Sequence, residues 1–305
     1  MKKYIIYHDR CPDGLTAAAL FKRHAIKYNY EDYHNYEFIA GSYNMTLEDL
    51  NIKDNSVIYF LDFSFKKDMF ESLLDKAHTI FLLDHHKTAY DELNHLFNHN
   101  KLKVYFDLNE CGSSLTYKYL YPKEPLHILI EHIKDQDLWL WNNPKSMDYC
   151  SFLSSKELSL DSYFKYYSFA LSTPDFNSFY ENSLRVGRVL RSTNIKRAKE
   201  TIGSNLVKRD LLDFKNVCIV NCPSDLTGFI KTELIEEQEE NYLVTYAIGD
   251  KGMRISIRSS DTCSALALAK AIDPVKAGGH VLASGAFIPY SEFNSHWFTK
   301  TLFSL

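Results

Sequence analysis

Thr79-Ile80-Phe81-Leu82-Leu83-Asp84-His85-His86 is the stretch on which the reading of this chain turns. Its first five residues form a short apolar run, the pattern of a strand buried on both faces. The next three are all able to ligate a metal ion, and they emerge together where the hydrophobic run stops. In an open α/β sheet, ligands bind outside the carboxyl ends of the strands. Alone, an Asp-His-His turn reads more readily as an acidic bend with two solvated histidines. Its weight comes from what stands at the ends of the other strands.

The same order of strand, polar loop and helix recurs on either side. Tyr4-Ile5-Ile6-Tyr7 is followed by His8-Asp9-Arg10-Cys11-Pro12-Asp13-Gly14 and then by a small-residue helix over 15–21. Residues 57–61 read as a strand ending in Asp62, with an amphipathic helix over 66–77. Residues 103–106 read as another strand. It leads through Asn109-Glu110-Cys111-Gly112-Ser113-Ser114, a capping-type turn, into a helix over 113–121. A helix near 126–133 precedes Lys134-Asp135-Gln136-Asp137-Leu138-Trp139. Repeated units of this kind build a parallel sheet.

From 179 to 202 the pattern is helical, with Leu184, Val189, Leu190, Ile195 and Ile202 on or near one side and Gly203 as a C-cap. Its basic residues, among them Arg185, Arg188, Arg191 and Lys199, are either a solvated face or a positive wall beside a cleft. A second α/β region follows, with strands over 217–220, 242–248 and 253–258 and helices over 226–238 and 264–272. Gly249-Asp250-Lys251-Gly252 marks a hairpin between two of those strands. The organisation expected is a domain over 1–178, a linker helix over 179–205 and a smaller domain over 206–305.

A chain of 305 residues with 45% hydrophobic content can bury one large core or two ordinary ones. Its net charge of −4 gives no overall pull toward nucleic acid or an anionic membrane, which still leaves room for a local basic groove. The 21 Tyr and 20 Phe suit stacking surfaces as well as core. None of the six cysteines forms a CxxC pair. Met1-Lys2-Lys3 runs straight into a short strand, unlike a signal peptide, and no apolar run approaches the ~20 residues of a membrane span. The expectation is a soluble, cytoplasmic protein without a membrane partner, a homodimer being one possible assembly.

Acids and imidazoles thus gather at the ends of three strands, in His8 to Asp13, at Asp62, and in Asp84 to His86, with a further acidic pair at Asp135 and Asp137. A parallel sheet brings its strand ends to one edge, so these groups can converge. Carboxylate and imidazole together suit Mn2+, Fe2+ or Zn2+ better than Ca2+. Two such ions ~3.5–4 Å apart clamp a phosphoryl group and activate water.

In these motifs the chain resembles the DHH/DHHA1 phosphoesterase superfamily. The first motif is matched by His8-x-x-Cys11-Pro12-Asp13-Gly14, the second by Asp62, the third by Asp84-His85-His86 and the fourth by Asp135 or Asp137. The Gly-rich histidine motif of that superfamily's C-terminal domain is matched by Gly278-Gly279-His280, with Arg258 on a preceding strand. The resemblance implies a parallel-sheet catalytic domain joined by a linker helix to a smaller α/β domain. It implies hydrolysis by metal-activated water of phosphoester bonds in short or single-stranded oligonucleotides or cyclic dinucleotides. The metal implied is two Mn2+, with Zn2+, Fe2+ or Mg2+ as alternatives. The ligands implied are His8, Cys11, Asp13, Asp62, Asp84, His85 and one of Asp135 and Asp137; the family's spacing favours Asp135, with Asp137 as the alternative or as the residue that fixes the loop before Leu138-Trp139. His86 is a ligand or orients the scissile phosphate. Arg258, Gly278, Gly279 and His280 hold substrate, and the backbone at Ser113 and Ser114 either binds phosphate or only caps its helix. Cys11 stands where many members have a metal-binding aspartate. A polyphosphatase or pyrophosphatase, or a non-catalytic nucleotide-binding protein, are the rival readings.

Overall fold

The computed structural model describes residues 1–43 and 45–303. The chain forms two compact units, Met1–Arg191 and a second from Ser192 onward.

The first unit is built on five strands: β1 (Lys3–His8), β2 (Tyr36–Gly41), β3 (Val57–Leu61), β4 (Thr79–Asp84) and β5 (Leu102–Phe106). They lie in the order β2-β1-β3-β4-β5, and every pairing is parallel. Successive side chains on a strand face opposite sides, and both sides are apolar here. Ile5, Tyr7, Leu61 and Leu83 enter one core. Ile6, Ile58, Phe60, Ile80 and Leu82 enter the other. The first core is closed by α1 (Pro12–Tyr28), α5 (Gly112–Leu120), α6 (Ile128–Asp137), α7 (Ser146–Leu153) and α8 (Leu160–Ala170). The second is closed by α2 (Leu47–Leu50), α3 (Lys67–Lys76) and α4 (Lys87–Leu93).

Several boundaries differ from those read in the sequence. Helix α1 begins at Pro12, not at 15: proline at a first helical position loses no hydrogen bond, and Cys11 is the N-cap. Gly14 therefore sits in the first turn, where a Cβ would stand 2.5 Å from the His8 carbonyl oxygen. Strand β2 was not expected, because Tyr36-Glu37-Phe38-Ile39-Ala40-Gly41 is a half-buried edge strand without an apolar run. Helix α6 continues through Asp135 and Asp137. Helix α9 (Phe176–Asn205) runs past Gly203, which is helix interior and not a cap.

The second unit holds a mixed sheet in the order β10-β11-β9-β8-β7-β6. Its strands are β6 (Leu206–Leu211), β7 (Phe214–Asn221), β8 (Tyr242–Ile248), β9 (Gly252–Ser259), β10 (Gly278–Gly279) and β11 (Ala283–Pro289). β7 and β8 are parallel; the other pairs are antiparallel. The β8–β9 hairpin is the one expected. The region expected as a helix over 226–238 is instead a 3-10 turn (Ser224–Leu226), the short α10 (Thr227–Lys231) and a π turn (Thr232–Glu236). Helix α11 (Ala265–Ile272) packs Ala265, Leu268, Ala269 and Ile272 into the core beside β9 and β11. Among the described residues no helix is long and apolar enough to cross a membrane.

Within the first unit, α9 is fixed to α7 by close backbone approach. A Cβ at Gly187 would stand 1.8 Å from the Asp148 carbonyl oxygen. On the same contact Asp148, 4% exposed, receives Arg188 at 3.2 Å and Arg191 at 2.8 Å. Alanine is the better helix former by about 1 kcal/mol, yet overpacking of this kind costs about 1–3 kcal/mol. Gly187→Ala is therefore expected to lower the urea midpoint of unfolding. A midpoint unchanged or raised would mean that α9 is not pinned to α7 at this residue.

Candidate metal centre

The strand order reverses direction between β1 and β3, and such a switch point is where a doubly wound sheet opens a ligand crevice. His8 is the last residue of β1, Asp62 the first after β3, and Asp84 the last of β4. Their side chains start from adjacent strand ends. Asp62 is held at φ +57, a left-handed conformation that costs a non-glycine residue. Its amide still donates to the Leu83 carbonyl at 2.9 Å, so the turn stays anchored to the sheet. Helix α5 starts directly against it, since a Cβ on Gly112 would stand 2.2 Å from the Asp62 Cβ. At that helix start the amides of Gly112 and Ser113 donate to the two oxygens of Asp13, at 2.5 and 2.9 Å. A helix N-terminus favours a carboxylate there.

His85 Nε2 lies 3.0 Å from Asp62 Oδ1, 3.5 Å from Asp137 Oδ2 and 3.9 Å from Asp13 Oδ2. The other Asp62 oxygen is 3.3 Å from His8 Nδ1. Asp62 thus belongs to two triads, Asp13–Asp62–His85 and His8–Asp62–His86. Within each, the potential ligand atoms lie within 4.8 Å of one another. Asp84 Oδ1 accepts the backbone N–H of His85 at 2.7 Å and of His86 at 3.2 Å, and sits 2.7 Å from His86 Nδ1. Asp84 Oδ2 and Asp137 Oδ2 are buried and have no hydrogen-bond partner among the described residues.

This crowding sets the protonation states. Burial, then the charges of Asp62 and Asp137, push Asp13 up to about 8. Burial alone would lower His85, but Asp137, Asp62 and Asp13 together raise it to about 10. Burial likewise raises Asp137. Burial opposes ionisation of Asp62 too, yet the hydrogen bonds with His8 and His85 hold it well below the usual carboxylate range. Two carboxylates pushed toward protonation by burial, packed with ionised Asp62 around one buried imidazole, fit a divalent cation, which supplies positive charge in place of those protons. The donors are carboxylate oxygen and imidazole nitrogen, a set that suits Mn2+, Fe2+ or Zn2+.

Other residues singled out in the sequence have different surroundings. Asp137 is the member of the acidic pair that meets the cluster. Asp135 accepts the amides of Asn142 and Asn143 at 2.8 and 3.1 Å, and so caps the loop after α6. Ser113 and Ser114 are fully buried. The amide at 113 is taken by Asp13, and the Ser114 hydroxyl donates to Glu110 at 2.7 Å, so these groups serve the chain's own carboxylates. Cys11 is in neither triad. Burial and the charges of Asp62, Asp137 and Asp13 hold its thiol well above its ordinary value. In the second unit Arg258 lies on β9, with Nη1 donating to the Ile257 carbonyl at 2.9 Å. Gly278 and Gly279 pair with Gly285 and Ser284, and the His280 amide donates to the Ala283 carbonyl at 2.8 Å. Gly279, at φ +128, is the glycine its backbone requires; a Cβ on Gly278 would meet nothing within 4 Å.

Two features escaped the sequence reading. Glu110, 7% exposed, holds Lys118 and Lys134 at 2.7 Å each, tying the start of α5 to α6, which carries Asp137. Tyr43, two residues past the unread strand β2, packs its ring near His8 and Phe63.

No family model matches the chain. A curated relative, an uncharacterized protein of Acanthamoeba polyphaga mimivirus, is 28% identical over 163 residues. The match takes in 52% of this chain and 38% of that protein, so the chain spans under two-fifths of its relative's length. The RecJ of Thermus thermophilus in complex with Mn2+ matches 96% of this chain and 50% of its own, at 13% identity and a TM-score of 0.52. The chain shares the fold of this RecJ. A pGpG-specific phosphodiesterase, PggH, from Vibrio is matched over 100% of this chain and 98% of its own, at 13% identity and a TM-score of 0.47. The five-stranded parallel sheet of the first unit carries the acids, and the second unit holds the mixed sheet.

The raised values of Asp13 and His85 carry a pH signature for the metal-free first unit. Each group favours the fold while protonated. That contribution is whole below the unfolded values, ~3.9 for Asp and ~6.5 for His. It is lost as pH climbs through about 8 for Asp13 and about 10 for His85. Metal-free protein should therefore melt at a lower temperature at pH 8.5 than at pH 6, and the rise in Tm on adding Mn2+ should be larger at pH 8.5. Asp13→Asn should flatten the metal-free dependence. A Tm increment from Mn2+ that shrinks with pH would contradict this account of the cluster.

Proposed function

We propose that this chain is a divalent-metal-dependent phosphodiesterase acting on short or single-stranded oligonucleotides, or on linear or cyclic dinucleotides. The observation that carries the reading is the sharing of Asp62 between two triads of potential ligands at one sheet edge. Likeness in fold to a RecJ that binds Mn2+ supports Mn2+ as the ion. His8, Asp13, Asp62, Asp84, His85 and Asp137 would hold the metal. When bound, such ions polarise a phosphoryl oxygen and lower the pKa of a coordinated water.

The chain's own groups do the rest. Asp13 is kept in place by two amides of α5, so it does not reorient when substrate arrives. Asp84 fixes the His85-His86 turn through its backbone contacts and holds the His86 ring, which we assign to the substrate phosphate. Arg258, with its planar fork, and His280 are assigned to a second phosphate or end group of the substrate. Cys11 offers a softer atom than carboxylate beside this site, so we expect Cys11→Asp to keep or raise activity with Mn2+.

The test is turnover with Mn2+ on bis-p-nitrophenyl phosphate, a linear dinucleotide, a cyclic dinucleotide and polyphosphate. The wild type should cleave the diesters, and Asp62→Ala should abolish cleavage while circular dichroism stays unchanged. Arg258→Ala and His280→Ala should raise KM for the dinucleotide by about one to two decades, the loss of one charged hydrogen bond of about 1.5–3 kcal/mol. Cleavage of polyphosphate alone would replace the reading with a polyphosphatase, and wild-type rates in Asp62→Ala would remove the metal centre.

A further inference from the structure

Strand β2 ends at Gly41, in register with His8 of β1, and the chain then brings Tyr43 to the sheet edge that carries the cluster. The Tyr43 ring lies 6.3 Å from the His8 ring at 68°, and 5.0 Å from Phe63 at 43°. It is 55% exposed. What stands behind it is rigid: Phe63 is fully buried, 4.9 Å edge-on from Phe65, which is in turn 5.8 Å edge-on from Phe60. A Cβ on Gly41 would fall 2.8 Å from the Phe63 ring, so the bare glycine is what lets Phe63 lie against the end of β2.

Single exposed rings are common and need no explanation. This one differs on two counts. It touches a histidine of the candidate metal centre, and it is braced by a column of buried aromatics. The cluster itself consists of carboxylates and imidazoles, which through cations can hold phosphate oxygens but offer no face to a base. A flat apolar face beside them recognises what a nucleotide has and a polyphosphate lacks. Base–aromatic stacking is tolerant of base identity, because every base has a π face.

We propose that Tyr43 is the stacking face for the nucleobase next to the phosphate at the metal centre, selecting nucleotides over polyphosphate or pyrophosphate. The proposal rests on the phosphodiesterase reading for its substrate class. Its test is binding, so that the two can fail separately. The probe is 2-aminopurine riboside 5′-phosphate with Mg2+, followed by quenching of its fluorescence, with ribose 5-phosphate measured by calorimetry as the base-free control. The wild type should bind the nucleotide and quench it. Tyr43→Ala should lose about tenfold in affinity for it, with the affinity for ribose 5-phosphate unchanged. Tyr43→Phe, which keeps the ring, should bind and quench as the wild type does. Equal affinity of wild type and Tyr43→Ala for the nucleotide, an equal loss on ribose 5-phosphate, or no nucleotide binding by the wild type would each overturn the platform. A wild type that stacks the nucleotide but cleaves no diester would overturn the activity proposed above and leave the platform standing.

Discussion

Three carboxylates within 3.9 Å of one buried imidazole nitrogen are the constraint on which the rest of the first unit depends. Like charges so close repel, and burial strengthens the repulsion by removing water that would screen it. Without a cation the cluster relieves itself with protons: His85 stays charged, and Asp13 holds a proton up to about 8. A divalent ion does the same work with more charge and displaces those protons, which couples metal binding to pH and to folding.

Such a cluster persists only if its backbone is over-determined, and here it is. Asp62 is held in a left-handed conformation between the β4 ladder and the bare face of Gly112. Gly14 lets α1 start against the end of β1, which fixes Asp13 beside His8. Glu110 binds the start of α5 to Lys134 of α6, so the cradle of Asp13 and the helix bearing Asp137 move together. The ligand set is thus preorganised by groups that never touch a substrate.

The strand ends were legible because a run of apolar residues that stops at an acid marks both a buried strand and its functional edge. Strand β2 was not, since an edge strand half open to water needs no apolar run; with it went the placement of Tyr43. Spacing favoured Asp135 over Asp137, and the structure brings Asp137 to the cluster instead. Two residues apart on a helix means ~200° of rotation, so one of the pair had to face away, and only the continuation of α6 decides which. The serines after Cys111 were legible as a helix start. The guest they hold was not, because Asp13 lies 99 residues earlier than the Gly112 amide it accepts.

The most direct measurement is anomalous scattering at the manganese edge from crystals grown with Mn2+. The account predicts two peaks ~3.5–4 Å apart, one on each side of the Asp62 carboxylate, with Asp137 and not Asp135 among the ligands. A single peak, or none within bonding distance of Asp62, would contradict the shared-carboxylate centre.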